Sequence, residues 1–169
     1  MPPENPSATS HPREPVIIRL AHFLAVLGGL VVVAIAVLVT TSVLMRWLGG
    51  EGVNGDFELV QMGLALAVFA FLPLCEARHG NVVVDTFTTR WSRAAQVALD
   101  VLWDLVYAAF AAFIAWRLSL GAFESAASHT TSMVLGLPVH FAIAGCAAMA
   151  AFLALVCIAA ARQRGRISP

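Results

Sequence analysis

Charge is what this sequence has least of. Only 12% of its 169 residues are Asp, Glu, Lys or Arg, and 60% are hydrophobic. Soluble domains carry about a quarter charged residues. The deficit excludes a disordered chain, which depends on high polarity, and a soluble globular enzyme as the default. An excess of one sign is missing too, because ten arginines and ten acids cancel. No basic run exceeds Arg162, Arg164 and Arg166 near the C-terminus, which excludes a nucleic-acid-binding face. Cysteine is sparse. Cys75, Cys146 and Cys157 all lie in apolar stretches, without CxxC or Cys/His metal spacing, and Cys146 and Cys157 are too far apart on one helix to bridge. They read as small packing residues. Walker loop, dinucleotide fingerprint, nucleophile elbow and zinc motif are also absent from the sequence.

What the sequence has instead is long uncharged runs. Leu20 to Met45 has no charge and exceeds the roughly 20 residues that span a bilayer. It is too long for a signal-peptide core, and no A-x-A site follows it. A second run covers Leu59 to Cys75. Asp56 is expected as its N-cap, and Glu58 in its first turn, where the helix dipole favours an acid. Pro73 predicts a kink near its far end. The third run is weaker, since Asp104 lies within it and Asp100 and Arg117 near its ends, but Trp103 and Trp116 sit as an aromatic belt would place them. Gly136 and Pro138 punctuate the start of the fourth. The expected fold is therefore an all-α membrane protein. Four transmembrane helices, at about 20–46, 57–75, 99–120 and 138–161, form one membrane domain over 20–161. A disordered, proline-containing cytosolic tail at 1–19 and a basic cytosolic tail at 162–169 are expected to flank it.

Arginine placement orients these spans. The N-tail, the connection between spans 2 and 3, and the C-tail hold eight arginines, while the other two connections hold only Arg46 and Arg117. The positive-inside rule then puts both termini in the cytosol, which requires an even number of spans. Within the middle connection, Phe87, Trp91, Ala94 and Ala98 recur at helical spacing, and Asp85 can cap them. Residues 85–98 read either as a short amphipathic interfacial helix or as the first turns of span 3.

Candidate chemistry is thin. His22 and His140 fall at span ends and His11, His79 and His129 in tails or connections, a poor arrangement for axial haem ligation. Asp100 and Asp104 share one helix face at the cytosolic end of span 3. A cation or proton site there competes with the plainer reading of interfacial acids held by headgroups, helix dipole or a partner's arginine. The pairs Gly63/Ala67, Ala108/Ala112, Ala144/Ala148 and Ala147/Ala151 have the small-xxx-small spacing of closely packed membrane helices.

Taken in order, several segments resemble one family. Arg46-Trp47 ends the first span, and Asp56 and Glu58 open the second. The segment Ala77-Arg78-His79-Gly80-Asn81-Val82-Val83-Val84-Asp85 follows span 2, and Thr131 to Pro138 precedes span 4. This pattern is similar to the small permease (Q-type) subunit of tripartite ATP-independent periplasmic (TRAP) transporters. Asn81 departs from it where a histidine is common, and Val83 where a basic residue is usual. The resemblance implies a non-enzymatic scaffold beside a large permease subunit, with a periplasmic solute-binding protein as third partner, in a bacterial inner membrane. Uptake would be ATP-independent, of organic acids such as C4-dicarboxylates, and driven by an ion gradient. The ion is usually sodium, expected on the partner subunit, and no cofactor is expected on this chain. Assembly residues would be Arg46, Asp56, Glu58, Arg78, Gly80, Asn81, Asp85, Asp100, Asp104, Gly136 and Pro138. Two other readings share the architecture: the membrane anchor of a respiratory or redox complex, and the small subunit of a tricarboxylate-type transporter.

Overall fold

The computed structural model describes residues 16–78 and 93–167. They form four α-helices, α1 (Val16–Trp47), α2 (Asp56–Ala77), α3 (Arg93–Ala127) and α4 (Val139–Ile167). Each is long and apolar enough to cross a membrane. The many Val and Ile residues of α1 would favour strands in water. In lipid no water can satisfy backbone N–H and C=O groups, so the helix, which pairs them internally, prevails. At 1.5 Å per residue, α1 and α3 reach about 48 and 52 Å, beyond the ~30 Å hydrocarbon core. They must lean or project.

Residues 93–98 are the opening turns of α3, continuous with its apolar body. The remainder of the expected interfacial segment, 85–92, lies outside the described residues. Pro73 sits inside α2 and is fully buried.

The helices pack in the order α1, α2, α4, α3, each against the next. Among the described residues helix α1 therefore lies at one edge and packs chiefly on α2. The seams are built from small residues. Ala21, Ala25 and Gly28 of α1 are buried, as are Ala67 and Ala70 of α2. A Cβ at Gly28 would stand 2.9 Å from the Ala70 Cβ and 3.3 Å from the Ala67 carbonyl oxygen. Gly63 meets Ile35 in the same way, and Gly145 of α4 lies against Leu66 of α2. Between α3 and α4, the buried core holds Ala108, Ala111, Leu153, Ala154 and Cys157.

Of the four small-residue pairs, Gly63/Ala67 lies in a seam. Ala112, Ala144, Ala148 and Ala151 are exposed. The buried alanines of α3 are instead Ala108, Ala111 and Ala115, in line with buried Asp104. A seam between two helices advances by alternating steps of three and four residues, about 3.5 on average. A step of four alone drifts off the contact line.

Candidate functional site: a polar clasp at the loop end

Several polar side chains meet where α1 stops and α2 begins. The first half of the clasp forms there. Ser42, fully buried in α1, donates to Asp56 Oδ2 at 2.6 Å and accepts from the Val53 N–H at 3.2 Å. Arg46, one helical turn on, donates through Nη2 to the same Asp56 oxygen at 2.7 Å and reaches Ser42 Oγ at 3.4 Å. Gly52 lies so close to the Arg46 and Ser42 side chains that a Cβ would collide with both. One serine, one arginine and one aspartate thus hold the end of α1, the 48–55 turn and the start of α2 together.

Asp56 differs here from its expected role. The N-cap of α2 is Gly55, at φ 77° in the left-handed region. Asp56 is the first helical residue, and its Oδ1 accepts from the Phe57 N–H at 2.7 Å. The carboxylate has better partners across the turn, and the chain can enter α2 at this angle because glycine tolerates positive φ. Leu135 packs directly on Gly55, where a side chain would leave it no room.

Glu58 makes the second half of the clasp. Its carboxylate accepts from the Val134 N–H at 2.8 Å and the Leu135 N–H at 3.0 Å, and the Ser132 hydroxyl turns toward it. The 128–138 loop is itself closed by Ser132 N–H to the Leu137 carbonyl, Leu137 N–H to Ser132 Oγ, and a bridge between Thr131 and Pro138. Gly136, at φ 64°, makes the turn. Pro138 ends the loop, and α4 starts one residue later. Held this way, the loop carries Met133 and Val134 fully or largely exposed, beside exposed Trp47, Leu48 and Phe57 at the same end. Glu51 and Glu124 are exposed as well.

We predict that Glu58→Ala frees this loop. Amide hydrogen exchange at Val134 and Leu135 should accelerate about tenfold. Glu58→Gln, which keeps one carbonyl acceptor for two donors, should fall between. Unchanged exchange at both amides would show that the carboxylate does not hold the loop.

The opposite end of α2 holds a different arrangement. Arg78 forms the C-cap, its N–H bonded to the Leu74 carbonyl, and its side chain is exposed. Glu76 is buried at 3% exposure and Asp104 at 8%. Both carboxylates lie near enough to Cys157 to act on it electrostatically, and both are engaged within the protein, as is the half-buried Asp100. Asp104 is thus not a headgroup-facing acid. It stands eleven residues into α3, about 16 Å along the helix. Glu76 lies near Cys157 of α4 and Tyr107 of α3. Gly80, Asn81 and Asp85 lie outside the described residues. Among those described, no group of three His, Cys, Asp or Glu side chains could hold a metal ion.

Residues 35–166 match the family described as tripartite ATP-independent periplasmic transporters, DctQ component. The chain belongs to this family. The match runs from within α1 through α4 and takes in the whole clasp and the 79–92 segment. No curated protein and no solved structure matches. The DctQ component is part of a transporter and not an enzyme, so this multi-pass helical chain is the small subunit of a TRAP transporter, and the redox-anchor and tricarboxylate-type readings give way to it.

Proposed function

We propose that this DctQ subunit is a membrane scaffold for a large permease subunit, with a periplasmic binding protein delivering solute to the pair. The observation that carries this reading is the one-sided packing of α1. Among the described residues that helix packs chiefly on α2 and exposes Phe23, Leu30, Val33 and Val37 along its length. Its central turns carry no charge. An apolar, charge-free face suits contact with other helices and supplies nothing to bind an organic acid or an ion. Transport chemistry, including the sodium site and selection of a C4-dicarboxylate-like solute, belongs in this reading to the large subunit and the binding protein.

The orientation is N-in and C-in, in a bacterial inner membrane. It is supported by the eight-to-two division of arginines. The clasp end then faces the periplasm. Its charged groups Arg46, Asp56 and Glu58 are taken up by contacts within the chain. Their contribution to docking is to hold the 128–138 loop, with Gly136 and Pro138, in one shape. At the cytosolic end, Arg78, Gly80, Asn81, Asp85, Asp100 and Asp104 are the assembly residues.

The test is co-purification in mild detergent with an affinity-tagged large permease from the same organism. Recovery of this chain in stoichiometric amount is expected, together with loss of uptake on its deletion. If the large subunit is recovered without it and deletion leaves uptake intact, the scaffold role is wrong.

A further inference from the structure

We infer that the outer face of α2 packs against the same face of a second copy of this chain, parallel to it, with the two Gln61 side chains hydrogen-bonded to each other. Helix α2 meets α1 through Gly63, Ala67 and Ala70, and α4 through Leu66. Toward α3 it leaves a gap lined by Phe69 and Leu72. The remaining face carries Phe57, Gln61, Leu64, Val68, Phe71 and Cys75, all exposed. They recur at alternating steps of four and three, the heptad spacing of a helix seam. From Phe57 to Cys75 the stripe runs about 27 Å, close to the full depth of the ~30 Å core. It holds no charge, and Arg78 lies past it as the C-cap.

Gln61 says what covers this face. It follows the start of α2 by five residues, about 8 Å along the helix, so its amide lies within the hydrocarbon and has no water to bond. Among the described residues nothing hydrogen-bonds it. An unbonded amide in hydrocarbon is costly, so the face calls for a polar partner at that depth and not for lipid. The amide carries a carbonyl acceptor and N–H donors, which makes it its own complement. Copies of one chain insert with one orientation, and a two-fold axis along the membrane normal sets equal depths opposite each other. The steps place Gln61, Val68 and Cys75 at a positions. In a parallel heptad pair such residues face their own counterparts, and a single polar one fixes register and pairing. Gln61 therefore meets Gln61, and Cys75 meets Cys75. The outer face of α1, with Phe23, Leu30, Val33 and Val37, offers no such group, so the contact with the permease and the contact between copies fall on different helices.

In membranes holding the full chain and its large permease, oxidation with copper–phenanthroline should link Cys75 to Cys75. The product is a band of twice the chain's mass that reduction removes and Cys75→Ser abolishes, since Cys146 and Cys157 are buried. In the Cys75→Ser background, Leu64→Cys and Phe71→Cys on the stripe should link as well. Val33→Cys on α1 and Phe113→Cys on α3, equally exposed to lipid, should not. Energy transfer between labelled chains in phosphatidylcholine vesicles should show Gln61→Leu weakening self-association about tenfold. Gln61→Asn, which keeps an amide, should weaken it less. Linking of Cys75 to the permease instead of a second copy, linking at Val33→Cys as strong as on the stripe, or unchanged association of Gln61→Leu overturns the pairing. The Cys75 link needs no change to the wild-type chain, so it decides the matter even if a Gln61 variant melts early. None of these outcomes rests on the scaffold role.

Discussion

Replacing Gly28 by leucine should separate α1 from α2, and the same replacement one residue later should not. At Gly28 the added Cβ meets the Ala70 Cβ at 2.9 Å and the Ala67 carbonyl at 3.3 Å. One of these is backbone and the other a methyl group fixed to it, so neither can swing aside, and the helices must part. Overpacking a close-packed contact costs about 1–3 kcal/mol. Here it acts on α2, the helix on which α1 chiefly packs among the described residues. At Gly29 nothing lies within 4 Å of the added Cβ, and leucine gains up to about 1 kcal/mol of helix propensity over glycine. The pair of variants separates packing from propensity. Thermal unfolding in detergent should show Gly28→Leu well below wild type and Gly29→Leu at or above it. Equal melting temperatures would mean that the α1–α2 contact contributes little.

Ser42→Ala is expected to produce the second large effect. The serine hydroxyl is fully buried and serves three partners, Asp56, Arg46 and the Val53 N–H. Its removal leaves the Val53 donor without its acceptor and Asp56 with a weaker hold on α1. Losing such part-buried hydrogen bonds costs about 0.5–1.5 kcal/mol each. Thr40→Ala is the control, because Thr40 bonds only the Ala36 carbonyl of its own helix, on an exposed face. Chemical unfolding should show Ser42→Ala destabilised and Thr40→Ala within about 0.5 kcal/mol of wild type. If the two variants unfold alike, the clasp does not hold α1 to α2.

How far these features were legible in the sequence depends on the range of the interactions. The four helices were readable, because membrane insertion is decided by uncharged length, a property of contiguous residues. Arg46, Asp56 and Glu58 stood out as the few charges at one end. Their partners did not, because Glu58 binds backbone N–H groups seventy-six and seventy-seven residues away, and a backbone donor has no signature in sequence. Ser42 offered one local signal, a hydroxyl one turn before an arginine at the end of an apolar run. Gly55 could be read as a turn glycine, but its place as the cap, and the packing of Leu135 on it, required both loops together. The small-residue pairs show the same limit. An alanine-rich chain offers many i, i+4 pairs, and only the facing helix selects which line of them is used.

The sequence by itself therefore determined the class, the number of spans and the family to which this subunit belongs, since hydrophobic length and motif order are properties of the chain read in line. Tertiary structure alone decided the order α1–α2–α4–α3 and the joining of two distant loops through Glu58. It also buried Glu76 and Asp104 and opened a gap between α2 and α3. In a membrane every apolar face is acceptable to lipid, so hydrophobicity cannot choose among helix pairings. Close steric fit and a few hydrogen bonds make that choice, and both exist only once the helices meet.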